Sequence, residues 1–143
     1  MTIDPALVTR KLTLIAGDLD AVGEVAAKSR EAFVASAFDQ RVAERLLERM
    51  IGRMIDVNFH LLVEQGHPPP ADYYTSFLRL ADLGVVDAAF ARRLAPSAGL
   101  RNRLVHEYDA IDPGRLFDAL APARTDIVDY VRAVEAYLTR GGG

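Results

Sequence analysis

Hydrophobic residues recur in steps of three and four along most of the chain, which is the spacing of one face of an α-helix. In the first segment these positions are Val8, Leu12, Ile15, Leu19, Val22 and Ala26. Asp4 precedes the segment as a capping residue, and Pro5 takes the first helical position. The pattern predicts an amphipathic first helix whose narrow apolar face packs against a core.

The same spacing predicts a second, longer helix from about Asp39, with an apolar face broad enough to contact two neighbours. Its apolar positions are Ala43, Leu46, Leu47, Met50, Ile51, Met54, Ile55, Val57, Leu61 and Leu62. Gly66 and the prolines at 68–70 end it, because glycine suits a left-handed helix end and proline cannot continue a helix. Met50 and Met54 are expected in the core or at a dimer interface.

The second half of the chain predicts three further helices. A short helix ends at Gly84, and the next begins after Asp87 and continues, with a kink near Pro96, through residues 101–108. The sequence Ile-Asp-Pro then recurs at 111–113 and predicts the start of the last helix. Because no strand pattern is present and the connections are short, the expected fold is all-α, an antiparallel up-and-down bundle of about five helices.

A length of 143 residues fits one domain, expected over residues 1–140, with the glycines at 141–143 as a disordered tail. Half of the residues are hydrophobic, which leaves apolar surface for self-association. The absence of cysteine, of a signal-peptide pattern and of an apolar run near the roughly 20 residues of a membrane helix predicts a cytoplasmic protein. The net charge of -3 argues against general nucleic-acid coating, so any RNA contact must come from locally clustered arginines.

The stretch "RNRLVHEY", residues 101–108, gathers groups that suit RNA cleavage. Histidine titrates near neutral pH and can act as base or acid, whereas arginine grips two phosphate oxygens with its planar fork. On a continuous helix, Asn102 and His106 share a face, and Arg101 lies about 140° from His106. Arg101 and Tyr108 lie within about 20° of each other. A homodimer with a twofold axis between two such helices would bring Arg101 and His106 of both copies into one cleft.

The string "GLRNRLVHEY", followed by "IDP", resembles the HEPN superfamily and, within it, the HepT family of toxin ribonucleases. The segment "FHLLVEQGHPPPADYYTSFLRLADLGVV" is similar to that family's middle part, and the order of helices agrees. The resemblance implies the toxin of a type II toxin-antitoxin system, an endoribonuclease that needs no metal or cofactor and cleaves messenger or transfer RNA. It implies that Arg101 and His106 are the catalytic pair and that Asn102 supports the site.

The resemblance also implies a partner. Tyr108 matches the tyrosine that the cognate MntA-type nucleotidyltransferase antitoxin modifies with AMP. A nucleotidyl group there would place negative charge beside Arg101 and exclude the RNA backbone. The expected partners are therefore RNA, this antitoxin and a second copy of the chain, with no membrane or DNA partner.

Three other interpretations remain open. Arg101 and His106 could cap the end of their helix, where a cation is favourable by about 0.3 to 1 kcal/mol, although Arg103 fits that role better. The chain could also be a non-catalytic HEPN subunit that binds a nucleotide or substrate for a nucleotidyltransferase, or a purely structural adaptor.

Arginines recur at every fourth position of the predicted second helix, with Glu44 and Glu48 between them. These arginines are Arg41, Arg45, Arg49 and Arg53. A basic stripe of this kind suggests an RNA track, but interleaved carboxylates are more typical of a solvated, ion-paired face. We favour the ion-paired interpretation.

Two further groups of residues are expected to be structural. His60 and Glu64 lie four residues apart, with His67 in the following loop, but one His-Glu pair is too few ligands for a metal site. Tyr73 and Tyr74 could stack on RNA bases, although packing in the core or at its rim is the favoured role.

Overall fold

The computed structural model describes residues 2–106 and 111–141, and every regular element in these ranges is helical. The elements are α1 (Pro5–Ala26), α2 (Arg30–Val34), α3 (Ala37–Glu64), α4 (Tyr73–Leu78), a 3₁₀ turn (Arg79–Ala81), α5 (Ala88–Leu94), α6 (Ser97–Val105) and α7 (Pro113–Thr139). Across the described residues, no helix is both long and apolar enough to cross a membrane. The predicted all-α class is confirmed.

The long helices α1, α3 and α7 form the framework of the bundle. α1 and α3 are antiparallel, since the Asp4 amide at the start of α1 donates to His60 near the end of α3 at 3.0 Å. At the opposite ends, the Lys28 ammonium lies 3.0 Å from the Asp39 carboxylate. α7 runs antiparallel to α1 and covers the same core, which matches the predicted up-and-down arrangement.

The predicted apolar faces of α1 and α3 form the core. All of the positions predicted for α3 are buried, and so are those of α1 except Ala26, which packs against the core while partly exposed. Met50 and Met54 are fully buried within one chain, so they belong to the core. Burial of these faces supplies the main driving force for the bundle.

The helix ends follow from local chemistry. Asp4, Asp87 and Asp112 cap α1, α5 and α7 by accepting backbone N–H groups, as their positions in the sequence predict. Gly66 and Gly84 adopt φ angles of +88° and +77°, the left-handed conformation expected where a helix stops.

The structure has one more helix than predicted at each of two places. Ser29 caps a short helix, α2, in a stretch whose pattern is ambiguous. The kinked helix expected past Pro96 is two helices, because α5 ends at Leu94 and α6 begins at Ser97. Proline lacks the N–H that would continue the hydrogen-bond ladder, and the chain turns there to lay α6 across α3 and α4.

Candidate functional site

The short helix α6 positions the first two candidate residues. Ala98 is buried, and Leu100 and Leu104 are partly buried, which fixes α6 on the core. Arg101 lies in the middle of this helix and is half-buried, whereas Asn102 is exposed. α6 therefore turns the arginine towards its neighbours α3 and α4 and the asparagine towards solvent.

The Arg101 guanidinium lies against the Tyr73 ring, with 5.4 Å between Cζ and the ring centroid. At this distance the cation is attracted by the negative face of the ring. Arg101 Nε is buried and finds no hydrogen-bond acceptor among the described residues. Buried donors without a partner are rare in folded proteins, so this nitrogen is an exception among the described polar groups, whereas the rest of the guanidinium opens on a groove.

Arg101 borders an open groove of about 250 Å³, which Gly52, Ile55, Asp56, Phe59 and Tyr73 also line. The Phe59 and Tyr73 rings meet edge to face, with centroids 6.1 Å apart and planes at 84°. The Asp56 carboxylate is exposed and lies 3.1 Å from the Lys11 ammonium. The groove thus combines an aromatic wall with one cation and one anion.

His106 marks the end of α6. Its backbone N–H donates to the Asn102 carbonyl at 3.1 Å, and its φ and ψ of -92° and 101° are those of extended chain. The prediction of a continuous helix through residue 108 is therefore wrong. Val105 and His106 are weak helix formers, and the chain must leave the helix to restart at Asp112 and Pro113.

The early end of α6 changes the predicted geometry. The shared face predicted for Arg101 and Tyr108 depended on a helix that continues past residue 105, and α6 ends there; Tyr108 itself lies outside the described residues. The structure does bring Arg101, Asn102 and His106 to one short helix and its end. His106 and Asn102 are exposed, and Arg101 opens on the groove, so all three reach solvent.

The contacts argue against a helix-capping role for Arg101. Its guanidinium lies on Tyr73, whereas the basic residue in the last turn of α6 is Arg103. Arg103 therefore has the capping position that the sequence favours for it.

Sequence reasoning missed three residues of the groove, Gly52, Asp56 and Phe59. Tyr73 was considered as a surface on which RNA bases could stack, but packing in the core or at its rim was the favoured role. Tyr73 is at the rim, 40% exposed, but it is also the ring against which Arg101 rests. A spacing of 28 residues between Tyr73 and Arg101 carries no signal of this contact, which depends on how α4 and α6 pack on α3.

Buried hydrogen bonds hold α4, and with it Tyr73, in place. The Asn58 side-chain amide of α3 donates to Ser76 Oγ at 3.1 Å, and Ser76 Oγ donates to the Tyr73 carbonyl at 2.6 Å. The Asp72 carboxylate caps α4 by accepting the Thr75 amide at 2.7 Å. Hydrogen bonding from Thr75 lowers the pKa of Asp72 below its ordinary value of 3.8.

Within the part of the chain that the structure describes, three of the four arginines in the stripe on α3 form ion pairs. Arg45 lies 3.3 Å from Glu48, and Asp18 of α1 lies 3.0 Å from Arg53 and 3.5 Å from Arg49. These contacts confirm the interpretation of a paired face for three of the four arginines.

His60 and Glu64 have structural roles, as predicted. His60 Nε2 accepts the Asp4 amide at 3.0 Å, and the Glu64 carboxylate accepts the Thr2 amide at 3.2 Å. The two side chains therefore fasten the start of the chain to the end of α3.

Comparisons with known proteins point to one family. The family model described as "Ribonuclease HepT-like" matches residues 15–134. The chain is 35% identical over 136 residues to the tRNA nuclease HepT of Aphanizomenon flos-aquae, an alignment that covers 95% of this chain and 92% of that protein.

Two solved structures share the fold. One is a tri-AMPylated HEPN toxin of Shewanella oneidensis in complex with its MNT antitoxin; it has a TM-score of 0.83 and 20% identity over 91% of this chain and 97% of that one. The other is a toxin-antitoxin crystal structure with AMP-PNP; it has a TM-score of 0.83 and 19% identity over 92% and 98% of the two chains. At these identities the likeness extends to the fold alone.

Proposed function

The chain belongs to the ribonuclease HepT-like family and is an endoribonuclease, and we propose that it is the toxin of a toxin-antitoxin pair. In this proposal the chain cuts RNA with Arg101 and His106. The observation that carries the site assignment is the Arg101 guanidinium, which lies on the Tyr73 ring and opens on a groove, five residues before the exposed His106 in the chain. Asn102, on the exposed face of the same helix, supports the site.

The two side chains supply complementary chemistry. The His106 imidazole removes the proton of an RNA 2′-hydroxyl, and the 2′-oxygen then bonds to the adjacent phosphorus. The bond from phosphorus to the 5′-oxygen breaks, and that oxygen takes up a proton from an imidazolium. Arg101 pairs with the charge that develops on the phosphorane oxygens. The products are a 2′,3′-cyclic phosphate and a 5′-hydroxyl, and no step requires a metal ion.

The reaction uses one proton acceptor and one proton donor, which a symmetric homodimer supplies. Because His106 lies beyond the end of α6, it can reach across a twofold axis next to that helix. His106 of one copy then serves as base and His106 of the partner subunit as acid, with both Arg101 side chains lining the cleft. The dimer remains a proposal, supported by this chemistry.

Transfer RNA is the first substrate to test, since the relative from Aphanizomenon flos-aquae is a tRNA nuclease. Purified protein is incubated with tRNA in EDTA, and the fragment ends are identified by their reactivity with kinase and phosphatase. We expect cyclic-phosphate ends from the unmodified protein and a loss of at least about 100-fold in rate for His106→Ala and Arg101→Ala.

Arg103→Ala is the matched control, because Arg103 is an exposed arginine of the same helix. It should retain nuclease activity. Circular dichroism should show that all three variants keep the helical fold. A folded His106→Ala protein with full activity would refute the assignment, whereas unmodified protein that binds a nucleotide but cuts no RNA would favour the non-catalytic subunit.

For regulation we propose that a nucleotidyltransferase antitoxin of the MntA type transfers AMP to Tyr108. The tyrosine oxygen bonds to the α-phosphorus of ATP, the bond to the bridging oxygen breaks, pyrophosphate leaves and the phenol proton passes to solvent. The tri-AMPylated HEPN toxin of Shewanella oneidensis supports this chemistry by analogy. The bulk and charge of AMP near the end of α6 would block the RNA path to Arg101.

Intact-mass analysis after coexpression with the antitoxin tests this modification. We expect a mass increase by one or more AMP units in the unmodified sequence and in Tyr74→Phe, and none in Tyr108→Phe. An increase that persists in Tyr108→Phe would place the modification elsewhere.

A further inference from the structure

We propose that the groove beside Arg101 binds one nucleobase of the RNA, next to the phosphate that is cut, and that Asp56 selects a base with an amino group. This inference rests on the proposed nuclease function. It assigns substrate selection to Gly52, Asp56, Phe59 and Tyr73, which lie on α3 and α4 apart from the catalytic segment.

The aromatic wall suits a flat ring. Phe59 and Tyr73 stand edge to face, and Tyr73 is 40% exposed, so ring surface remains open to the groove. Proteins that recognise single-stranded RNA stack splayed bases on such rings, and Arg101 at the same rim lies where the attached phosphate would follow. Base and phosphate can therefore bind side by side.

Asp56 supplies an acceptor at the groove. Its Oδ2 takes a hydrogen bond from Lys11 at 3.1 Å, and among the described residues no donor reaches its Oδ1. An ionised carboxylate only accepts hydrogen bonds, so the free oxygen favours a base edge that offers N–H groups. Guanine, cytosine and adenine each offer an amino group to this oxygen, whereas uracil has no amino group and flanks its single N–H with two carbonyl oxygens.

Gly52 lines the groove and, because it has no side chain, leaves space there for a ligand. Glycine weakens the interior of a helix relative to alanine, yet a Cβ at Gly52 would meet no other atom within 4 Å. Packing within the chain therefore does not require glycine at this position in α3. A side chain there would project into the space assigned to the base.

The charges of the groove favour RNA over a second copy of the chain as the occupant. Asp56, Lys11 and Arg101 all lie at or beside it, whereas the centre of a protein-protein interface is depleted of charged residues. A nucleotide, with a flat base, amino groups and a phosphate, complements the aromatic wall, the carboxylate and the guanidinium in turn.

The test uses the full-length protein with two kinds of substrate: a tRNA transcript, and oligonucleotides that span the cleavage site of that tRNA. In the oligonucleotides, each base next to the cut is changed in turn to each of the four bases. Gly52→Leu fills the groove and should raise KM about tenfold or more with a smaller change in kcat, since stacking of a base is lost. Gly17→Leu is the matched control, because Gly17 lies in α1, is exposed and has equally open space. Its KM should stay unchanged.

Asp56→Asn tests selection independently of groove shape. We expect the preference for amino-bearing bases over uracil to fall about tenfold, because the amide replaces one acceptor by a donor. Lys11→Gln removes the ion-pair partner but leaves the carboxylate, and it should retain the preference.

The outcomes separate this inference from the nuclease function. If the unmodified protein cuts RNA while folded Gly52→Leu and Asp56→Asn keep its KM and base preference, the groove does not bind a base and the nuclease assignment stands. If Gly52→Leu instead changes the sedimentation coefficient with KM unaltered, the groove is a subunit interface and the proposal is overturned. Unmodified protein without activity on any RNA would refute the nuclease function itself.

Discussion

The Tyr130 hydroxyl of α7 donates a hydrogen bond to the side-chain oxygen of Asn58 in α3 across 2.6 Å, and both residues are fully buried. The amide group of the same asparagine continues to Ser76, and through it to the backbone of Tyr73. Burial raises the pKa of Tyr130 well above its ordinary value, with the Asp56 charge as a second cause, so the hydroxyl stays protonated as a donor. The chain of hydrogen bonds links the core to the wall of the groove.

Tyr130→Phe should lower the free energy of unfolding by about 1 to 3 kcal/mol, because it leaves a buried asparagine oxygen without its donor. Urea unfolding followed by circular dichroism measures the change. Tyr74→Phe removes a hydroxyl from an exposed ring and should leave the stability unaltered. Equal stabilities of Tyr130→Phe and the unmodified protein would show that the network adds nothing to the fold.

Arg101→Lys should lower kcat about 100-fold while stability stays close to that of the unmodified protein. Lysine keeps the positive charge but loses the planar fork that can hold two phosphate oxygens and stack on Tyr73. Single-turnover cleavage of tRNA separates this effect from binding. Arg103→Lys makes the same exchange two residues along α6 and should cleave at the normal rate; comparable losses in both variants would argue against a specific role for Arg101.

The sequence was sufficient to predict the long helices because their signals are local. Steps of three and four identify the buried faces of α1 and α3, and Asp-Pro pairs mark the starts of α1 and α7. Where such signals are weak, the prediction was wrong. Pro96 divides a helix that was expected only to bend, and α6 ends at Val105 although no glycine follows it to mark a helix end.

The residues of the proposed site could be identified from the sequence only in part, for the same reason. Arg101, Asn102 and His106 are close in sequence, so a motif can identify them, and the roles proposed for them come from the resemblance to the HepT family. Asp56, Phe59 and Tyr73 come from two other helices, and their approach to Arg101 depends on how α3, α4 and α6 pack. Periodicity shows that a helix has a buried face but not which neighbour that face meets.

Low pH should destabilise α4, because it protonates the Asp72 carboxylate that caps this helix. The pKa of this carboxyl is below its ordinary value of 3.8 in the folded chain, chiefly because Thr75 donates hydrogen bonds to it. The contribution of the ionised cap is therefore complete above the unfolded pKa and is lost as the pH falls from about 3.8 through the lower, folded value. Asp72→Asn keeps an oxygen that can accept the Thr75 amide but does not titrate there. We expect its melting temperature to fall less between pH 5 and pH 3 than that of the unmodified protein, and identical acid profiles would contradict this role.

Tyr73 and Tyr74 offer a matched pair for testing the contact that orients Arg101. The two rings are adjacent in α4 and similarly exposed, at 40% and 48%, but it is Tyr73 that lies under the guanidinium. Tyr73→Ala should reduce kcat/KM for tRNA cleavage by at least about fivefold, since a cation-π contact contributes about 0.5 to 2 kcal/mol and the base-stacking surface is lost as well. Tyr73→Phe keeps the ring and should retain most of the activity, and Tyr74→Ala should behave like the unmodified protein. If both alanine variants lose activity equally, the ring of Tyr73 has no specific part in placing Arg101, and the loss reflects general damage to α4.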